Sequence, residues 1–147
     1  MAVDPGLSIA SCHCQTLRHA ARRLTQFYDR MLAPAGVKAT QLPVLAALME
    51  FGSQPLGTLA GRLGLDRATL GHNVRPMVAQ GWVEMAPGDD RRRRDVALTE
   101  AGRAVLRVAL PLWREAQEGF AAAFGEERAA GLRGEAAAAA RLRLPGG

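Results

Sequence analysis

Apolar residues recur at intervals of three and four along most of this chain, which is the period of an α-helix. From about Ser8 to Leu32 they fall at Leu17, Ala20, Ala21, Leu24, Phe27, Tyr28 and Met31, predicting one long first helix. Ala33-Pro34-Ala35-Gly36 ends it. Thr40 is placed to cap a second helix over 41–51, with Leu42, Leu45, Leu48 and Met49 on its inner face. Phe51-Gly52-Ser53 breaks that helix, and Pro55 suits the first turn of a third, with Leu56, Leu59, Ala60 and Leu63 on one face. Gly64 turns the chain. Asp66 then caps a fourth helix over 67–80, with Leu70, Val74, Met77 and Val78 facing inward, and Gly81 ends it. Pro76 inside this helix removes one backbone hydrogen bond, but the caps and the periodicity agree on a helix.

After Gly81 the period changes to two. Trp82 to Ala86 and Arg94 to Leu98 read as short strands, with Val83, Met85, Val96 and Leu98 on the core side. Between them lie Pro87-Gly88 and the run Asp89-Asp90-Arg91-Arg92-Arg93-Arg94, so the pair forms a β-hairpin with an arginine-loaded tip. Thr99 caps a long fifth helix. Its Leu106, Val108, Leu110, Leu112 and Trp113 are spread around the helix, which therefore needs more than one packing partner. Pro111 is expected to bend it and Gly125 to break it. A sixth helix follows over about 126–144, alanine-rich at 136–140, with Leu132 and Leu142 as its larger anchors.

Helix, turn, helix and basic hairpin, in that order, predict a winged helix-turn-helix: mainly α with a small β-hairpin wing. Residues 1–147 make a single domain, with 1–7 a loose arm and 38–99 the DNA-gripping lobe. The helices over 8–33 and 100–144 lie outside that lobe. Buried against their own copies, they would form a dimerisation region, and a two-fold homodimer suits a palindromic site in double-stranded DNA.

Composition sharpens this picture in three ways. With 147 residues, the chain can bury one core but not two comfortable ones. Aromatic residues are only 5% of it, which favours packed helices over a sandwich. No apolar run approaches the ~18 residues needed to cross a bilayer, and the N-terminus lacks a secretory pattern, so a cytoplasmic protein is expected, with no membrane partner. The net charge is +5 and the isoelectric point about 10.5, which points to a polyanionic partner. Lys38 is the only lysine; the other cations are arginines, which form two-pronged bonds to phosphate and to guanine edges.

On the fourth helix, Arg67, Thr69, His72, Asn73 and Arg75 turn away from the apolar face. Arg67, His72 and Asn73 are the candidates for base edges, Thr69 and Arg75 for phosphates or supporting contacts. In the hairpin tip, Arg92 is the candidate for insertion into a narrow minor groove. Arg91, Arg93 and Arg94 add phosphate contacts, and Asp90 is expected to orient an arginine through a charge-assisted pair.

The string Asp90-x-Arg92-x5-Leu98-Thr99-x2-Gly102 resembles the wing signature of the MarR (multiple-antibiotic-resistance regulator) family, and Leu65-Asp66-Arg67-Ala68-Thr69 is similar to that family too. The resemblance covers the chain from about Cys14 to Leu144. It implies a homodimeric transcription factor, usually a repressor, released from DNA by a small-molecule ligand or by oxidation. Cys14, Leu17, Thr25 and Tyr28 also keep the spacing seen around the sensing cysteine of the organic-hydroperoxide branch, where tyrosine hydroxyls hold the thiolate. Tyr28, the only tyrosine, is the residue that can do so here; Arg18 and Ala39 stand where that branch has two more.

Chemistry beside the resemblance leaves two roles for the cysteines. Cys12 and Cys14 could be structural or incidental. Alternatively, a helix N-terminus and Arg18 set up a reactive thiol at Cys14, whose sulfenic acid could condense with Cys12 of another subunit or with a small thiol. Cys12, Cys14, His13 and His19 have zinc-binding side chains, but their spacing is irregular and no carboxylate is near, so neither metal nor cofactor is expected. His19 is placed beside an expected effector crevice between the dimer helices and the lobe, where an apolar ligand would meet the first, second and fifth helices. Two other function classes fit less well. A small thiol enzyme would need a C-x-x-C beside a βαβ unit, a nucleophile–base–orienter set or a phosphate loop, and none is present, so no enzyme is expected. A protein-interaction module built on the winged fold would have no use for the basic wing that this chain keeps.

Overall fold

The computed structural model describes residues 6, 8–90 and 92–145. Among them, six helices and three strands follow the order α1 (His13–Leu32), α2 (Leu42–Phe51), β1 (Gln54–Pro55), α3 (Leu56–Leu63), α4 (Arg67–Ala79), β2 (Val83–Pro87), β3 (Arg94–Leu98), α5 (Glu100–Phe124) and α6 (Glu126–Ala140). This is a winged helix-turn-helix. The expected arm over 1–7 lies, apart from Gly6, outside the described residues. None of the described helices is long and apolar enough to cross a membrane.

The core sits inside the lobe. Leu45, Leu48, Leu59, Leu70, Met77, Val83 and Val96 are almost fully enclosed, and each comes from a different turn or strand of α2, α3, α4 or the sheet. Leu32 and Val37 seal the end of α1 against it, and Leu106 and Ala109 bring in α5. The wing is a three-stranded antiparallel sheet in the order β1-β3-β2, with Met85 opposite Val96 and Val83 opposite Leu98. The alternation of β2 and β3 turns these four residues to the core.

Thr99 joins the wing to α5. Its hydroxyl oxygen accepts the Gly102 amide at 3.0 Å, capping α5, and the hydroxyl donates to the Gly81 carbonyl at 2.6 Å. A side chain at Gly102 would meet the Trp82 carbonyl oxygen at 2.1 Å, so only glycine lets the first turn of α5 lie on the base of β2.

Several expectations are corrected. The first helix starts at His13, not Ser8; Ile9–Ser11 is a separate 3-10 turn, divided from α1 by Cys12, whose backbone is extended and whose sulfur caps α1. Thr40 does not cap α2. The N-cap is Gln41, whose Oε1 accepts the Lys38 amide at 3.0 Å, while Asp29 accepts the Ala39 amide at 2.7 Å. Pro55 precedes α3 rather than sitting in its first turn, and with Gln54 it forms a strand that sequence periodicity did not reveal. The second strand begins at Val83 and runs to Pro87. Met49 and Val78, expected inward, are 43% and 40% exposed, since each lies at the edge of its helix's apolar arc. The sixth helix stops at Ala140, leaving Leu142 beyond it and exposed rather than an anchor. As expected, Gly125 ends α5, and Pro111 lies within the helix.

Candidate nucleic-acid interface

Asp66 builds the start of α4. Its two carboxylate oxygens accept the amide of Thr69 at 2.8 Å and the hydroxyl of Thr69 at 2.7 Å. These bonds, the hydroxyl's first and then the amide's, hold the Asp66 carboxyl below its ordinary value of 3.8. The doubly bonded cap fixes the direction in which Arg67 leaves the helix. The Thr69 hydroxyl proton is thus given to Asp66 within the helix start, which leaves its oxygen only to accept.

Along α4, Arg67, His72 and Arg75 are exposed and Asn73 is half-buried, all on the side away from Leu70, Val74 and Met77. At the wing tip, the Arg93 amide donates to the Asp90 carbonyl at 2.8 Å, and the Gly88 amide donates to the Arg93 carbonyl at 2.9 Å. The Asp90 carboxylate accepts the backbone amide of Arg92 at 3.1 Å in an Asx-type turn, and among the described residues it pairs with no guanidinium. Arg91 lies outside the described residues.

Arg92, Arg93 and Arg94 on the wing and Arg67 at the start of α4 line one cleft of about 750 Å³. Its floor is Pro55, Leu56, Gly57, Thr58 and Met85. Among the described residues, none of these four guanidinium groups has a carboxylate within 4.0 Å. Helix α3 starts there without a side-chain cap, so its first amides add partial positive charge. The arrangement can hold a chain of phosphates while presenting α4 beside it. The floor residues were missed from sequence; the signal for them was a helix beginning straight after a proline, with no capping side chain.

The remaining predicted residues are not part of this cleft. Cys12 is the N-cap of α1, its Sγ accepting the Gln15 amide at 3.5 Å, and Cys14 lies in the first turn; both are free and exposed. Tyr28 is fourteen residues further along the same helix, about 21 Å from Cys14. Its hydroxyl donates to Gln117 Oε1 on α5, so within this chain it does not reach the cysteine. Burial raises the Tyr28 pKa, an effect that Arg133 partly offsets. Two cavities flank the Tyr28–Gln117 pair. One of about 740 Å³ lies between α1, α5 and α6; another of about 290 Å³ lies where α1, α2 and α5 meet. His19 is exposed on α1 and lines neither.

Comparison with known proteins places this geometry among relatives. A model of the MarR family matches residues 35–93. The HTH-type transcriptional repressor NicR of Pseudomonas putida is 30% identical over 103 residues, which are 69% of this chain and 65% of NicR; the match spans just under two thirds of that relative's length. The Mycobacterium tuberculosis regulator MosR, solved in complex with DNA, superposes with a TM-score of 0.74 at 40% identity, over 90% of this chain and all of that one. A probable transcriptional regulator from Pseudomonas aeruginosa gives a TM-score of 0.80 at 28% identity, over 88% of this chain and 98% of its own.

Proposed function

This chain belongs to the MarR family, and from that premise we propose that it is a transcriptional regulator, a repressor that binds double-stranded DNA as a homodimer and leaves it when a small molecule binds. The observation that carries the reading is the cleft in which Arg67 of α4 meets Arg92, Arg93 and Arg94 of the wing. Phosphates crossing that cleft set the register, Arg67, His72 and Asn73 read base edges in the major groove, and Arg92 reaches the adjoining minor groove.

Three features support a second copy as partner. Every described residue from Ser8 to Arg23 is exposed, and no residue of α6 is buried, so the first half of α1 and all of α6 lack an enclosed side. The cleft of about 740 Å³ between α1, α5 and α6 is walled by Leu24, Phe120, Ala121, Ala129 and Leu132. A modest charge difference adds to these: the exposed first half of α1 carries Arg18, Arg22 and Arg23, whereas α6 sets Glu126, Glu127 and Glu135 against Arg128 and Arg133. Selection of duplex fragments from genomic DNA tests the proposal. Palindromic sites are expected, with half-sites about one helical turn apart and affinity that falls with salt. A protein with no salt-sensitive affinity for any duplex would sink it.

A second reading, a thiol switch, is favoured by Cys12 acting as the cap of α1 through its sulfur. A hydroperoxide would transfer one oxygen to the Cys14 thiolate and leave as the alcohol; the sulfenic acid would then condense with Cys12 of a second copy, releasing water. Peroxide should release the wild-type protein from DNA but not Cys14→Ser, and equal release of both excludes the switch.

A further inference from the structure

The cleft of about 750 Å³ between α4 and the wing has the volume of a small-molecule site. Arg67 lines it from the start of α4 and Arg92, Arg93 and Arg94 line it from the wing, so four guanidinium groups from two elements share one space. The first turn of α3 lies at its base, and no side chain caps the amides there. Gly57 keeps that turn open, since a Cβ at this position would meet nothing within 4 Å. The acids close by in sequence are turned to other tasks. Asp66 holds the Thr69 amide and hydroxyl, and Asp90 holds the Arg92 amide. Asp95 Oδ1 is buried against Gly88, 2.9 Å from where a side chain there would begin. None of these three, nor the exposed Asp89, lines the cleft.

A single phosphate in this space would engage one or two guanidinium groups and leave the others repelling one another. A run of linked phosphates carries enough oxygens and charge for all four, through charge-assisted, two-pronged bonds. We infer that a soluble ligand with linked phosphates, a triphosphate group either free or carried on a nucleoside, binds this cleft and competes there with DNA. The inference rests on the regulator reading above and adds a second input to it. Occupancy takes the guanidinium groups that a duplex backbone needs, so release follows from exclusion and requires no change of shape. The site is separate from the cavities beside Tyr28, with which it shares no lining residue. Pro55 and Met85 give it apolar surface against which a base can rest.

Calorimetric titration of the intact protein with tripolyphosphate, ATP, AMP and orthophosphate, at physiological ionic strength, tests this. Tripolyphosphate and ATP should bind once per subunit, at least tenfold more tightly than AMP or orthophosphate. Tighter binding of ATP than of tripolyphosphate assigns the site to a nucleotide, and the reverse assigns it to the free polyphosphate. Arg67→Ala and Arg93→Ala should each weaken tripolyphosphate at least fivefold. Arg107→Ala, which removes the same charge outside the cleft, should change it less than twofold. Tripolyphosphate should also displace a labelled duplex with an inhibition constant that matches its directly measured affinity. Orthophosphate binding as well as tripolyphosphate, or equal losses in all three variants, shows general charge attraction and overturns the inference. A protein that takes tripolyphosphate at Arg67 but binds no duplex refutes the regulator reading alone. One that binds duplex and is not displaced by tripolyphosphate refutes the competing ligand alone.

Discussion

At the scale of single residues, the interface depends on which polar groups are free and which are already engaged. Arg92 has no carboxylate partner among the described residues, and only its backbone amide is tied, to Asp90. Arg92→Ala should weaken duplex binding at least tenfold and reduce the log–log salt slope by about one per subunit, with the fold unchanged; fluorescence anisotropy across a salt series measures both. Asp66 is the opposite case, its carboxylate fully used at the start of α4. A carboxyl lowered in the folded state adds stability that is present above its unfolded pKa and is lost as pH falls through the folded one. Asp66→Ala should therefore lower the melting temperature at neutral pH, and the gap to wild type should narrow as the solution is acidified below about pH 4. The candidates on α4 and the wing could be read from sequence because cap, helix period and hairpin each have local signatures. The use of the Thr69 hydroxyl and the backbone role of Asp90 could not, because both depend on distances that only the folded turn sets.

At the scale of elements, the junction of wing and α5 carries the most constraint. Thr99 bonds Gly102 on one side and the Gly81 and Trp82 carbonyls on the other, with Gly102 pressed against the Trp82 backbone. The opposing atoms belong to backbone and cannot rotate away. Gly102→Ala should destabilise the protein by at least about 2 kcal/mol in chemical denaturation and weaken DNA binding by tilting the wing. The spacing Leu98-Thr99-x2-Gly102 thus has a packing cause: a cap, then a missing side chain one turn on. Strand β1 was invisible in the sequence because two residues hold no alternation, and a proline there reads as easily as a helix start. Pairing with β3 makes it a strand, with Gln54 opposite Val96 and Pro55 opposite Asp95.

At the scale of the whole molecule, the two long outer helices lack the packing that the lobe has. Leu132 on α6 faces the cleft between α1, α5 and α6. Leu132→Asp should give a monomer in sedimentation, with helix content retained and affinity for a palindromic duplex lost, since one subunit reaches only one half-site. A dimer of unchanged mass in that variant would move the interface elsewhere. The sequence by itself determined the six helices, the hairpin, most of the lobe core and the cationic tip, because helix period, caps, turns and charge runs act between residues close along the chain. Only the tertiary structure decided which distant groups share a space: Arg67 with the wing arginines, and Tyr28 with Gln117. Those meetings depend on how helices far apart in sequence cross, and no local spacing encodes a crossing.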